Sequence, residues 1–266
     1  MRVDLLMVEK GFAPSRNRAQ ELIASGRVVL VSNGRKQPVK KSSLQIEPSD
    51  DVTFEIEHSS EHDDFVSRGG LKLKGALARA KLTVKGIRAL DIGISTGGFT
   101  DCLLQSGASA IVGVDVGHGQ LAEKLRRDPR VKLVEGVNAR QLSSSPIVQL
   151  NDGHKFDLVV IDVSFISLTL VLPEVISYLK DSASIVALVK PQFEVGRDNL
   201  GKNGIVKDAA LYTGVEAKIR NACRVSGLIV EDYFESSIAG SDGNREFFVV
   251  AKSPELSLDL FSAGRM

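Results

Sequence analysis

Cysteine is scarce in this chain of 266 residues: Cys102 and Cys223 are the whole complement. They fall in unrelated helix-like segments without metal-type spacing, which excludes a disulfide framework and suits a reducing compartment, the cytoplasm. A secretion signal is not expected either, because Met1-Arg2-Val3-Asp4-Leu5-Leu6 runs into Glu9 and Lys10 before an apolar core develops. Long apolar runs are few. The one stretch that a membrane scan would flag, Val159 to Leu179, contains Asp162, Pro173 and Glu174. A central carboxylate costs about 2.5–3.5 kcal/mol on insertion, so a strand followed by a packed helix is expected there, and no stable membrane association. Serial amphipathic barrel strands are also missing.

Net charge is nearly absent, but the value of +1 hides strong opposites. Residues 1–43 carry nine Lys and Arg against three acids, residues 44–64 eight acids and no Lys or Arg, and residues 65–88 seven Lys and Arg and no acid. Two basic blocks around an acidic connector suit contact with a polyanion, with solvated surface as the plain alternative. The same shifts divide the chain into a small α+β domain (1–57), an acidic linker (58–64) and a larger domain (65–266). His58 and His62 in the linker are spaced to share a metal ion if helical, but nothing nearby completes a site, and no metal is expected.

In the small domain, Val3, Leu5, Leu6 and Val8 form an apolar stripe, and Ser15 is placed to cap a second helix holding Ala19, Leu22 and Ile23. Val28-Val29-Leu30-Val31, a turn at Asn33-Gly34 and the alternating Val52-Thr53-Phe54-Glu55-Ile56 read as a small sheet. Arg16, Arg18, Gln20, Arg27 and Lys36 cluster about the second helix and the strand after it. Ser15-Arg16-Asn17-Arg18-Ala19-Gln20-Glu21-Leu22-Ile23 with Gly26-Arg27-Val28 resembles the small RNA-binding module of a small-subunit ribosomal protein, bacterial tyrosyl-tRNA synthetases and many pseudouridine synthases. That resemblance makes those five residues, joined by Arg68 beyond the linker, candidate RNA contacts.

Beyond the linker, apolar strands alternate with helical segments. A basic amphipathic helix (Leu71–Ala80) precedes a strand ending at Gly93, a helix from Gly98 to about Gln105 and a strand from Ala110 to Val116. Helices are then expected over Gln120–Arg127, Leu168–Leu179 and Ala209–Val225, and strands over Val131–Val134, Phe156–Val163, Ser184–Val189, Leu228–Phe234 and Glu246–Ala251. This succession predicts an α/β domain, a mainly parallel, Rossmann-like sheet with helices on both faces. Ligands in such sheets lie outside the carboxyl ends of the strands.

Asp91-Ile92-Gly93-Ile94-Ser95-Thr96-Gly97-Gly98 ends one of those strands and opens a helix, with glycines expected to let the backbone approach a ligand. Asp115 closes the next strand about twenty residues on, where such folds hold a ribose diol. The glycine order differs from the dinucleotide fingerprint, and a loop with Asp91, Ser95 and Thr96 suits the amino-acid tail of S-adenosylmethionine, which has no phosphate. Cofactor contacts are expected from Asp91, Gly93, Ser95, Thr96, Gly97, Gly98 and Asp115, and from Asn138 near the adenine, where a plain turn-forming asparagine is an equal alternative.

Asp162 and Lys190 end two further buried strands on the same edge, which Lys72 and Glu246 can reach in this fold. A structural salt bridge is the alternative reading of the first two. Val66-Ser67-Arg68-Gly69-Gly70-Leu71-Lys72-Leu73, the glycine turn through Phe99-Thr100, and Val114-Asp115-Val116-Gly117-His118-Gly119-Gln120-Leu121 recur in order with two more motifs. These are Ile161-Asp162-Val163-Ser164-Phe165-Ile166-Ser167 and Leu188-Val189-Lys190-Pro191-Gln192-Phe193-Glu194. Together they resemble the TlyA family, often labelled haemolysin, which joins the small RNA-binding module to an FtsJ-like methyltransferase domain. The resemblance implies 2′-O-ribose methylation of ribosomal RNA with S-adenosylmethionine, typically at a cytidine and here expected in large-subunit RNA, free or within a ribosomal subunit. Carried over position by position, it implies a catalytic tetrad of Lys72, Asp162, Lys190 and Glu246. A ribose hydroxyl needs a base, and Lys190 is the expected one, with Asp162 and Glu246 orienting the two ammonium groups. A membrane-active haemolysin and a nucleotide-dependent dehydrogenase on a similar sheet are the alternatives.

Overall fold

The computed structural model describes residues 1–13, 16–24, 26–47, 49, 51–56, 65–240 and 243–255. Ser15 and the acidic connector with His58 and His62 lie outside the described residues. The chain divides into two compact units, residues 1–67 and 68–266.

In the first unit, helices α1 (Val3–Glu9) and α2 (Arg16–Ala24) precede strands β1 (Val28–Ser32), β2 (Arg35–Pro38) and β3 (Thr53–Ile56). The strands form an antiparallel sheet in the order β2-β1-β3. Asn33 and Gly34 both take positive φ, as a two-residue hairpin turn demands, and they set the Ser32–Arg35 pairing. The apolar stripes of both helices, including Leu6, Met7, Leu22 and Ile23, bury against Val28 and Phe54.

The second unit opens with α3 (Gly69–Ala80), β4 (Arg88–Ile92), α4 (Gly98–Gln105), β5 (Ala110–Asp115), α5 (Glu123–Arg126) and β6 (Val131–Glu135). It continues with α6 (Ile147–Leu150), β7 (Phe156–Ile161), α7 (Leu172–Val175), β8 (Leu179–Val189), α8 (Leu211–Val225), β9 (Ile229–Glu235) and β10 (Phe247–Lys252). One sheet takes all seven strands in the order β6-β5-β4-β7-β8-β10-β9. β6 through β8 run parallel, and β10 inserts antiparallel between β8 and β9. Both faces are covered, so alternate residues such as Leu90 and Ile92, or Ala89 and Asp91, are equally buried. That is why the strands read as continuous apolar runs.

Two helices are shorter than the apolar pattern suggests. The segment expected as one helix over Leu168–Leu179 is a 3₁₀ turn (Leu168–Leu170), α7 and a second 3₁₀ turn (Ile176–Tyr178). Pro173 sits in the first turn of α7, where a proline is accommodated but cannot continue a helix arriving from before it. The expected helix over Gln120–Arg127 contracts to α5 because the residues before it bond to the glycine loop instead: Ala122 N donates to Thr96 O at 3.2 Å.

Candidate active site

The carboxyl edge of the sheet collects the ionisable residues. Asp162 follows β7 and Lys190 follows β8, and Lys190 Nζ lies 2.6 Å from Asp162 Oδ1 while donating to Ser164 Oγ at 2.8 Å. Phe247 of β10 pairs with Val189 of β8, so the antiparallel register carries Glu246 alongside Lys190. Glu246 Oε2 accepts from Lys72 Nζ of α3 at 2.5 Å, across 174 residues of sequence. The four side chains therefore form two ion pairs on one edge, Lys72 with Glu246 and Lys190 with Asp162, and the Lys190 charge also acts on Glu246. Burial pushes the Glu246 carboxyl above the usual range, Lys72 and then Lys190 oppose this, and Asp162 adds to it. The inner pair is the drier one: the Glu246 side chain is 4% exposed, against 24% for Asp162.

The glycine loop joins this edge. Gly93 takes φ +87°, Ser95 +47° and Gly97 +96°, turning the backbone sharply between β4 and α4. Packing alone already demands two of these glycines. A Cβ on Gly93 would collide with the backbone carbonyl of Asp162, and one on Gly97 with the Leu121 and Leu125 side chains. Protein atoms fill those spaces. Gly93 thus allows the loop after β4 and the residue after β7 to meet, and Asp162 N donates to Ile92 O at 2.9 Å.

Asp115 caps the turn beyond β5, accepting from Ser95 N at 2.8 Å and Gly117 N at 2.7 Å. Ser95 Oγ donates to Gln120 Oε1 at 3.0 Å. Asp91 lies within β4, fully buried; its Oδ2 accepts from Thr100 Oγ1 at 2.7 Å and its Oδ1 has no partner among the described residues. Burial, with Asp162 and then Asp115 adding repulsion against the Thr100 bond, pushes its carboxyl up to about 7. Thr96 lends its carbonyl to Ala122, and Gly98 starts α4. Asn138 is exposed and accepts from Arg140 N at 3.0 Å, the turn geometry of the alternative reading.

The residues proposed for RNA contact are more engaged than their composition suggests. In the first unit, the buried Asp4 carboxylate accepts from Arg2 at 2.9 and 3.0 Å, Gln20 Nε2 at 2.7 Å and Arg16 Nε at 3.0 Å. Led by the Arg2 bonds, these hold Asp4 well below the usual carboxylate range. Arg27 is buried, Arg18 half-buried, and Lys36 pairs with Glu55 at 2.7 Å. In the second unit, Arg68 stands at the N-cap of α3. Sequence reasoning missed Ser164, Thr100 and Gln120 as partners of Lys190, Asp91 and Ser95. It also missed buried Asn244, which ties down the loop around 199–207 by accepting from Val206 N at 3.1 Å and donating to Gly204 O at 3.0 Å. Ser164, Thr100 and Gln120 all stand inside the recognised motifs, which is the signal that was available.

The donor set selects among nucleoside ligands. Asp162 and Asp115 both stand close enough to the glycine loop to raise the Asp91 carboxyl, an environment that repels a pyrophosphate and favours a cation. The sulfonium and ammonium of S-adenosylmethionine fit it, with Asp115 and Asp162 as the carboxylates on their side of the loop. A doubly wound sheet of this order with such an edge defines an S-adenosylmethionine-dependent methyltransferase. The family model for FtsJ-like methyltransferases matches residues 65–253, and the S4 domain model residues 1–52. Over 248 residues, 93% of this chain and 88% of the relative, it is 42% identical to the 16S/23S rRNA (cytidine-2'-O)-methyltransferase TlyA of Mycobacterium tuberculosis. It is 35% identical over 260 residues to the 23S rRNA (cytidine-2'-O)-methyltransferase TlyA of Campylobacter jejuni, covering 93% of this chain and 98% of that one. A Streptococcus thermophilus protein solved under a hemolysin label superposes with a TM-score of 0.73 at 39% identity, covering 97% of this chain and 91% of the other. The chain belongs to the TlyA family of FtsJ-like methyltransferases.

Proposed function

We propose that this protein methylates the 2′-hydroxyl of a cytidine ribose in large-subunit ribosomal RNA. The observation that carries the reading is the two ion pairs, Lys72 with Glu246 and Lys190 with Asp162, set side by side at the carboxyl edge of the sheet by the register of β10 on β8. S-adenosylmethionine supplies an electrophilic sulfonium methyl. Lys190, in the outer and more accessible pair, acts once its amine has given a proton to solvent: it takes the proton of the ribose hydroxyl while that oxygen bonds to the methyl carbon, whose bond to sulfur would break with its electron pair leaving on S-adenosylhomocysteine. Asp162 and Ser164 fix the direction of the Lys190 amine. Lys72 and Glu246 form the inner wall of the same edge and keep its charge balanced. Holding hydroxyl and methyl in line recovers about 7–11 kcal/mol of barrier, so orientation carries much of the rate.

Asp115 is the residue for the ribose diol of the cofactor, and the backbone of Gly93, Ser95, Thr96, Gly97 and Gly98 lies beside its methionine portion. Asp91 stands behind that loop, and Asn138 borders the adenine through its turn. The S4 unit, with Arg16, Arg18, Gln20, Arg27 and Lys36, and Arg68 at the start of the catalytic unit, contact the RNA; residues 58–64 link the two functions. The relatives support the choice of RNA, since both curated names specify a cytidine 2′-oxygen and share the 23S target. The hemolysin label of a solved relative adds no support for membrane lysis: among the described residues no helix is long and apolar enough to cross a membrane. Ribosomal RNA as substrate implies a cytoplasmic place of action.

The test is a map of ribose methylation in ribosomal RNA from cells with and without this protein. One large-subunit cytidine mark should disappear with the protein. A mark lost from small-subunit RNA alone would remove the large-subunit assignment, and an unchanged map would remove the reading altogether.

A further inference from the structure

The reading above uses Asp162 and Lys190 but leaves unexplained what holds their two loops together. These loops meet at successive points. Lys190 contacts Asp162 and Ser164, the Phe193 ring lies 5.3 Å from the Phe165 ring, and Glu194 closes the series. The Glu194 side chain is 1% exposed. Its Oε2 accepts from Ser167 Oγ at 2.6 Å and its Oε1 from Leu168 N at 2.7 Å, both on the loop after β7. Lys218 of α8 donates to Oε2 at 2.7 Å and to the Glu194 carbonyl at 3.0 Å. A carboxylate this buried is costly unless fully bonded, and here every contact fastens one loop to the other or to α8. Between the two fastenings, Phe165 is held at φ +64°, a backbone state that an aromatic residue keeps only under constraint from its surroundings.

We propose that Glu194, with Lys218 as its counter-charge, is a positioning residue that braces the loop after β7, and so sets the alignment of Asp162 and Ser164 on Lys190. This rests on the methyl-transfer reading. It assigns a purpose to the end of the Lys190-Pro191-Gln192-Phe193-Glu194 motif, which lies outside the tetrad.

The experiment compares Glu194→Ala, Glu194→Gln and Lys218→Met in the full chain with ribosomal RNA. Single-turnover methyl transfer should fall about 30- to 100-fold in Glu194→Ala, the scale expected when reacting groups shift by about 1 Å. KM for RNA and the affinity for S-adenosylhomocysteine should stay as in the parent. The rising limb of the pH–rate curve should move to lower pH, because an ammonium that loses its carboxylate partner gives up its proton more readily. Glu194→Gln keeps an acceptor for Leu168 N and should recover most of the rate, and Lys218→Met should fall between the two. The chain has no tryptophan, so Phe193→Trp adds a single fluorophore on the braced loops, and its anisotropy should drop when Glu194→Ala is combined with it. Should Glu194→Ala fail to fold, Lys218→Met decides by the same rate, pH curve and anisotropy. A parental rate and pH profile in Glu194→Ala, or in Lys218→Met where that variant decides, or an unchanged anisotropy, overturns the brace. A parent that methylates no RNA would instead reject the proposed function, and the anisotropy, read without RNA, would still decide the brace.

Discussion

Replacing Gly93 by alanine separates two reasons for a glycine. At φ +87° any L-residue costs about 1–2 kcal/mol in backbone strain. Here the new Cβ also strikes the Asp162 carbonyl, which is backbone and has no rotamer to escape into. The loop after β7 must retreat, at about 1–3 kcal/mol more by the usual cost of overpacking. The combined loss, about 2–5 kcal/mol, corresponds to a fall of roughly 4–20 °C in melting temperature for a domain of this size. The kinetic loss should be larger in kind, because Asp162 is what moves: about a hundredfold in kcat for a displacement near 1 Å. Gly153→Ala is the control, since it has a similar φ of +78° with nothing within 4 Å of the added carbon. It should lose only the strain term and keep the parental rate. Calorimetric melting and single-turnover methylation of both variants make the comparison. Equal rates in Gly93→Ala and Gly153→Ala would refute the argument that Gly93 sets the position of Asp162.

Lys72→Met leaves Glu246 buried without its partner, a change worth about 3–5 kcal/mol in denaturant unfolding. Adding Glu246→Gln should restore stability without restoring methyl transfer. Asp115→Ala should weaken S-adenosylhomocysteine binding about 10- to 100-fold by calorimetry, the worth of a charged hydrogen bond, while RNA affinity holds. The Asp91 carboxyl is raised from 3.8 to about 7 in the fold, so its stabilising contribution is complete below the unfolded value and is lost as pH rises through about 7. Asp91→Asn mimics the protonated form. Its melting temperature should gain on the parent between about pH 4 and pH 7, then keep a constant lead; a pH-independent difference would contradict the buried, proton-bearing Asp91.

Much of this protein was legible without coordinates because its signals are local. Burial on both faces makes each sheet strand an apolar run, and glycine or aspartate marks where a strand stops. The motif residues Asp91, Gly93, Asp115, Asp162 and Lys190 could therefore be assigned to one edge of one sheet from spacing and strand ends. Helix breaks were less legible: the apolar periodicity from Leu168 continues through Pro173, and only the packed chain shows the helix broken there.

Partner identity is a different kind of information. That Lys72 meets Glu246 follows from β10 inserting between β8 and β9, which no spacing in the chain encodes. That the Cβ positions of Gly93 and Gly97 are taken by protein atoms, and that Arg16 and Gln20 are turned onto Asp4, were likewise decided by tertiary packing. The amino-acid sequence by itself determined the alternating elements and the residue types at the strand ends, because backbone propensity and apolar periodicity act over a few residues. Which side chains touch was settled only by the folded chain, since contact depends on sheet order and loop approach, and both are fixed by burial summed over the whole domain.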